Sequence, residues 1–175
     1  MANVRSTYTD SMHFYGQEDP RELVSRFGSP LYVYNENILR ARCRDLTGLS
    51  SLPGFHVNYS AKANTNPALL RIIRSEGCVA DAMSPGELHI NSLAGFTPDE
   101  IIYVCNNVSA EELKNAADHG CVVSVDSLAQ LELFGSVCPG GRVMVRFNPG
   151  IGAGHSDKVV TGGKKTKFGV DPDML

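Results

Sequence analysis

The stretch CVADAMSPGELHINSLAG, residues 78–95, decides the fold because it contains one complete strand-and-helix unit. An apolar strand candidate begins at Cys78. Ser84-Pro85-Gly86-Glu87 then opens a helix as a capping box, in which serine and glutamate side chains satisfy free backbone N–H groups. Gly95 marks the end of this helix. The stretch therefore predicts a strand followed directly by a helix with clear ends.

The same unit recurs along the chain at intervals of 20 to 23 residues. Apolar strand candidates begin near Phe55, Cys78, Ile101, Cys121 and Arg142. The other helix-opening signals are Asn66-Pro67, Ser109 with Glu112, and Ser127 with Gln130, and the helices are expected to end at Gly77, Gly120 and Gly135. Strands that alternate with helices at this spacing predict βαβ units and a parallel sheet.

Two architectures are compatible with such a repeat. A doubly wound, nucleotide-binding sheet would carry a glycine fingerprint after its first strand, and none is present. A TIM-type (β/α)8 barrel needs eight strands and about 250 residues. We therefore predict an α/β fold with a parallel (β/α)8 barrel that is incomplete, with about five βα units.

The N-terminal part has a different pattern. Asp19-Pro20 to Gly28 predicts a short helix, Leu31–Tyr34 a strand, and Asn35 to about Leu46 another helix. We divide the chain into an N-terminal helix-strand-helix segment, residues 1–50, and a partial barrel, residues 51–175.

The composition is that of an ordinary globular protein, with 42% hydrophobic and 20% charged residues. A net charge of -3 argues against a nucleic-acid or anionic-membrane partner. No apolar run approaches the roughly 18 residues of a membrane span, and the first residues lack the apolar core of a signal peptide. The five cysteines include no C-x-x-C pair, which favours reduced core thiols over a metal site. We expect a cytoplasmic protein.

Lys62 stands out at the end of the first strand candidate. Along Phe55–Ala61 apolar and polar residues alternate, so Lys62 continues the polar row of Asn58 and Ser60. A partly desolvated lysine there would be a nucleophile suited to Schiff-base chemistry. The strand alone favours a lysine that extends into solvent.

Strand parity in two later strands favours a shared interior. Val123 and Val125 oppose Ser124 and Asp126, and in the fifth strand Val143, Val145 and Phe147 oppose Arg142, Met144, Arg146 and Asn148. If the apolar faces pack on helices, the polar side chains meet inside the barrel, where active sites lie at the carboxyl ends of strands. Arg146 would then need an anionic partner such as Asp126.

Six motifs in order make the chain resemble diaminopimelate decarboxylases, enzymes of the alanine-racemase-like class that use pyridoxal phosphate (PLP). They are Tyr59–Asn64, Asp81–Leu88, Ile102–Asn107, Val125–Ser127, Arg146–Gly150 and Lys167–Gly169 with the preceding His155 and Thr161-Gly162. The resemblance covers roughly residues 12–170.

The resemblance implies that Lys62 forms a Schiff base with PLP and that Asp81, Arg146 and His155 lie near the cofactor. It also implies decarboxylation of meso-diaminopimelate to L-lysine, a homodimer, and a β-rich second domain to which the strand Leu31–Tyr34 belongs.

Several family elements have no counterpart in the chain, among them the rest of the barrel, the phosphate loop and the C-terminal β domain. We therefore expect the isolated chain to be weakly active or inactive. Related decarboxylases acting on ornithine, lysine or carboxylated polyamines, a non-catalytic PLP-binding protein and an inactive fragment remain alternatives.

Overall fold

A computed structural model describes residues 13–104, 106–152, 159–163 and 166–171. The chain divides into two compact units, Met1–Phe55 and His56–Leu175. The boundary predicted at residue 50 and the β-rich second domain stay predictions. In the described ranges the longest helix has 12 residues, and no helix is long and apolar enough to cross a membrane.

The first unit contains two helices, α1 (Pro20–Phe27) and α2 (Glu36–Thr47), as the sequence predicted. Each begins after a side chain that caps it. The Asp19 carboxylate accepts a hydrogen bond from the Arg21 backbone at 2.8 Å, and the Asn35 amide oxygen accepts one from Ile38 at 3.1 Å. Such caps satisfy N–H groups that the first helical turn leaves free.

The predicted strand at Leu31–Tyr34 is not formed in this structure. Residues 31–35 belong to no strand and join no sheet in the described part of the chain. Tyr32 is 85% exposed. β-branched and aromatic residues favour a strand only where a neighbouring strand and a packed face are available, and propensity alone does not supply them.

The second unit contains a sheet of five parallel strands in the order β1-β2-β3-β4-β5. The strands are β1 (Asn58–Tyr59), β2 (Val79–Ala82), β3 (Ile101–Val104), β4 (Val122–Val125) and β5 (Val143–Val145). The helices are α3 (Pro67–Ser75), α4 (Pro85–Ala94), α5 (Ala110–His119) and α6 (Leu128–Val137), with short 3-10 turns at Ala61–Ala63 and Pro98–Glu100. A doubly wound sheet reverses its strand order, whereas here the order follows the sequence, as in a barrel. The predicted incomplete barrel is confirmed.

The predicted capping residues open the helices. Ser84, Ser109 and Ser127 each accept a hydrogen bond from the backbone N–H three residues later, at 3.2 Å. At α5 the Glu112 carboxylate also accepts from the Ser109 backbone, which completes the capping box. One helix end was predicted incorrectly, because α6 continues through Gly135 to Val137.

The core lies between the sheet and the helices. Val123 and Val125 of β4 are fully buried there with Leu70, Leu113 and Phe134 of the helices. On the opposite face of the sheet, Ser124 of β4 is half-buried, and Met144, its register partner on β5, is 47% exposed. The predicted division of β4 into a helix-facing and an inner side is thus correct.

On β5 the same parity does not produce burial. Val145 pairs in register with Val125 and so lies on the helix-facing side, yet it is 42% exposed. Phe147, two residues further, is also exposed. In a βα repeat the helix that follows a strand covers it, and no helix follows β5 in the described part of the chain.

The chain after the Gly-rich segment returns to the sheet beside β5. Phe147 and Val170 form an isolated parallel bridge. The Asn148 N–H donates to the Val170 oxygen at 2.9 Å, and the Val170 N–H donates to the Arg146 oxygen at 2.8 Å. Residues around Val170 thus occupy the sixth position of the barrel, beyond the five strands predicted.

Candidate functional site

Lys62 lies in the 3-10 turn Ala61–Ala63, immediately after β1. The sequence predicted that the strand extends to Ala61, which was wrong because β1 ends at Tyr59. Of the two environments left open for Lys62, desolvated or in contact with solvent, the structure has the second, since Lys62 is exposed. The Ala61 N–H donates to the Asp81 carboxylate at 2.9 Å, so a side chain ends the strand pairing and turns the chain. Lys62 is still placed at the carboxyl end of β1, as predicted.

The side chain of Asp81, on the neighbouring strand β2, fixes this turn. Its Oδ1 accepts the Ala61 N–H and its Oδ2 accepts the Ser60 hydroxyl, both at 2.9 Å. Asp81 is 8% exposed, so these hydrogen bonds compensate the loss of water around a buried charge. The backbone oxygen of Asp81 accepts from the Asn91 amide of α4 at 2.8 Å. The Lys62 turn is therefore anchored through β2 to a buried helix side chain.

Asp126, directly after β4, forms the centre of a second polar cluster and is 9% exposed. Its Oδ2 accepts a hydrogen bond from the amide of Asn106, a residue that follows β3. Its Oδ1 accepts the Gly169 N–H at 3.0 Å and lies 3.5 Å from Nε of Arg146. One carboxylate thus connects the chain after β3 and β4 with β5 and the sixth position.

Arg146 lies one residue beyond β5, with Asp126 as its partner, the arrangement predicted from strand parity. Its guanidinium carbon lies 4.7 Å from the centre of the Phe168 ring, a cation-π distance. The arginine side chain retains 33% exposure. It is held by a charge along one edge and by an aromatic ring on one face, and part of it remains accessible.

Asn148 has a different role from the one predicted. Strand parity placed its side chain among the inner site residues, whereas its amide organises the segment after β5. The Nδ2 group donates to the Gly163 and Phe168 oxygens, and Oδ1 accepts from the Gly150 and Gly163 N–H groups at 3.0 and 2.9 Å. Asn148 is buried because these backbone groups surround it.

A cavity of about 380 Å³ adjoins the Asp126 cluster. Its polar lining includes Asn106, Asp126, Ser127, Gln130 and Lys167. His155, a predicted cofactor neighbour, lies outside the described residues, so that assignment stays a prediction.

The predicted site residues thus lie at the carboxyl ends of the strands, in two clusters. Ser60, Lys62 and Asp81 lie at β1 and β2, and Asp126 and Arg146 lie at β4 and β5. Sequence reasoning did not identify Asn106 and Phe168 as partners in the second cluster. Asn106 carries a usable signal, since it follows β3 closely at the same sheet edge. Phe168 belongs to the motif Lys167–Gly169, but nothing in the sequence pairs it with Arg146.

Comparison with known proteins agrees with this geometry. The diaminopimelate decarboxylase of Methanothermobacter thermautotrophicus is 44% identical over 158 residues, covering 89% of this chain and 37% of the relative. The diaminopimelate decarboxylase of Escherichia coli K12 is 33% identical, covering 87% of this chain and 36% of the relative. The chain therefore spans just over a third of the length of these curated relatives.

Solved structures show the same fold. Diaminopimelate decarboxylase from Helicobacter pylori, complexed with L-lysine, matches with a TM-score of 0.77 and 26% identity over 87% of this chain and 40% of that chain. Lysine/ornithine decarboxylase from Vibrio vulnificus, complexed with putrescine, matches with a TM-score of 0.66 and 25% identity over 82% of this chain and 38% of that chain.

A family model described as the pyridoxal binding domain of pyridoxal-dependent decarboxylases matches residues 38–174. The match includes β1 to β5, the Lys62 turn and the Asp126 cluster. Because it extends over most of the sequence, the chain belongs to the pyridoxal-dependent decarboxylase family.

Proposed function

We propose that this chain is the cofactor-binding part of a PLP-dependent decarboxylase that converts meso-2,6-diaminopimelate to L-lysine, with Lys62 as the residue that binds the cofactor aldehyde. The observation that carries the proposal is the Lys62 turn. Its backbone is held by the buried Asp81 carboxylate at the carboxyl end of β1, while the lysine itself is exposed.

The residues present fit PLP. An accessible primary amine at the catalytic edge of a barrel is the group that an aldehyde cofactor requires. Asp81 fixes the backbone that carries this amine, because its carboxylate accepts hydrogen bonds from Ser60 and Ala61, the two residues before Lys62. When bound, the cofactor supplies the electron sink for loss of the substrate carboxylate.

The chain itself contributes position, charge and proton handling. Lys62 would bind the cofactor aldehyde and, as an amine within the site, could also carry a proton as a general acid or base. Arg146 places a positive charge at the same sheet edge, and we assign it, with Asp81 and His155, to the surroundings of the cofactor.

The substrate assignment is supported by the relatives. Both curated relatives described above carry the name diaminopimelate decarboxylase, and the Helicobacter pylori structure holds L-lysine. The lysine/ornithine decarboxylase structure from Vibrio vulnificus matches with a TM-score of 0.66, against 0.77 for the Helicobacter pylori structure. A decarboxylase for ornithine or lysine is therefore the second candidate.

Lys62→Ala in the full-length protein tests the cofactor assignment. After incubation of the parent protein with PLP and reduction by borohydride, peptide mass analysis should find the added mass on Lys62. The Lys62→Ala variant should lack the visible absorbance of a PLP Schiff base. Lys114→Ala is the matched control, since Lys114 is exposed on α5 in a pair with Asp118. PLP absorbance that survives in Lys62→Ala would refute the assignment.

Carbon dioxide release tests the substrate. We expect turnover with meso-diaminopimelate and little with ornithine or lysine. The reverse order would establish the second candidate, and PLP binding without release from any of the three would establish a non-catalytic PLP-binding protein.

We further propose that the intact enzyme is a cytoplasmic homodimer with a β-rich second domain. The four described cysteines are free thiols, which suits a reducing compartment. Sedimentation of the full-length protein should give twice the mass of one chain, and a monomeric mass would contradict the dimer.

A further inference from the structure

The Asp126 carboxylate has more partners than the end of a strand requires. It accepts from Asn106 and from the Gly169 N–H, and it lies beside Nε of Arg146. Its own backbone N–H donates to the Gln130 side chain at 2.7 Å. A strand-terminal aspartate that served only as a cap would bond locally, whereas this side chain reaches groups 20 and 43 residues away.

Arg146 is fixed in direction by two contacts. The Asp126 carboxylate lies beside Nε, and the guanidinium carbon lies 4.7 Å from the centre of the Phe168 ring. Among the described residues, neither Nη group of Arg146 takes part in a hydrogen bond. The Asp126 contact is made at Nε, so the Nη end of the guanidinium remains available to a ligand. That end is the one that binds carboxylate or phosphate oxygens in pairs.

The contacts of Asp126 and Phe168 are themselves coupled through the sheet. Gly169, which donates to Asp126, follows Phe168 directly and precedes Val170, the residue that bridges to Phe147. The ring under Arg146 is thus placed by the same backbone that the Asp126 carboxylate holds. Loss of the carboxylate would release both restraints on the arginine together.

We propose that Asp126 is a positioning residue that acts on the reaction through Arg146, by presenting the Nη end of its guanidinium to an anionic group of the cofactor or substrate. This inference rests on the proposed function for the identity of the reaction. It assigns to Asp126 no contact with the reacting atoms.

A double-mutant cycle in the full-length, PLP-loaded protein tests the inference. The variants are Asp126→Asn, Arg146→Ala and their combination, and the quantities are kcat/KM for meso-diaminopimelate, the dissociation constant of PLP and the melting temperature. Because misplacement of a binding group by about 1 Å costs up to about 100-fold, Asp126→Asn should lower kcat/KM or PLP affinity by about 10- to 100-fold. In the Arg146→Ala background the same substitution should change that quantity by less than about 2-fold.

The melting temperature separates positioning from a structural role. The contacts of Asp126 with Asn106 and Gly169 do not involve Arg146, so Asp126→Asn should lower the melting temperature in both backgrounds. Asp118→Asn, which removes an exposed carboxylate paired with Lys114, is the matched control and should leave all three quantities unchanged. If Asp126→Asn does not fold, Phe168→Leu takes its place in the cycle, since it removes the second restraint on Arg146.

Equal losses of kcat/KM in both backgrounds would overturn the inference. So would an Arg146→Ala variant with unchanged kcat/KM and unchanged PLP affinity. If the protein binds PLP at Lys62 but releases no carbon dioxide, the proposed function fails, and the cycle is then decided by the PLP dissociation constant alone.

Discussion

The Asp81 carboxylate accepts a hydrogen bond from the backbone N–H of Ala61, the residue directly before Lys62. Ala61 is fully buried, so this N–H has no access to water. The position of the exposed lysine is therefore set by a buried contact between the turn after β1 and the neighbouring strand β2. Orientation of the nucleophile and stability of the sheet depend on the same hydrogen bond.

Asp81→Ala should destabilise the protein more than Ser60→Ala. The first substitution leaves the buried Ala61 N–H unsatisfied and removes two hydrogen bonds to a charged group, at a cost of about 3 kcal/mol or more, whereas the second removes one such bond, at about 1.5 kcal/mol. Chemical denaturation measures both values. Equal losses would mean that the Ala61 contact contributes little.

Gly169→Ala should destabilise the chain next to Asp126. Gly169 has a φ of +80°, and an added Cβ would lie 2.9 Å from the Asn148 nitrogen. Left-handed backbone alone costs a non-glycine residue about 1 to 2 kcal/mol, and the contact adds to it. Gly135→Ala is the matched control, because Gly135 lies within α6 with open space around it and should gain up to about 1 kcal/mol. Thermal unfolding of the two variants should shift in opposite directions.

The Glu100 and Arg74 pair should stabilise the protein less in acid. Although burial raises the pKa of Glu100, hydrogen bonds from the Thr97 N–H at 2.8 Å and from Arg74 at 2.9 Å hold it below its usual value. A lowered pKa in the folded state means that the stabilisation is present above the unfolded pKa and is lost as pH falls through the folded pKa.

Glu100→Gln measures this effect. Because both side chains are about one-third exposed, the difference in unfolding free energy from the parent should be about 1 kcal/mol or less at pH 7 and should shrink towards pH 3. A difference that is constant with pH would contradict the assigned role of the ionised carboxylate.

Cys121 should react with alkylating agents far more slowly than Cys138. Burial, and then the negative charge of Asp99, raise the pKa of the Cys121 thiol to about 11, so little reactive thiolate exists at pH 8. Cys138 is only half-buried. Peptide mapping after brief iodoacetamide treatment should show this order, and denaturant should abolish the difference. Equal labelling of the folded protein would contradict it.

The features that were predictable from sequence depend on neighbours along the chain. Ser84, Ser109 and Ser127 open helices because each bonds to an N–H three residues later, which a local pattern reveals. Parity placed Val123, Val125 and Arg146 correctly because side chains alternate along any strand.

The features that were not predictable depend on tertiary contacts. The turn at Lys62 forms because Asp81, twenty residues later, takes the Ala61 N–H. The exposure of Val145 follows from the lack of a covering helix in the described part of the chain, which the strand's own residues do not encode. Phe168 reaches Arg146 only because the backbone after the Gly-rich segment returns to the sheet at Val170.

The strand order of the sheet bears on how the protein is made. Each strand pairs with the one synthesised just before it, from β1 to β5 and on to the Phe147–Val170 bridge. No strand of the described part has to wait for a distant partner, so the sheet can be assembled at one growing edge while the ribosome is still translating. The segment around Val170 is added beside β5 in this order.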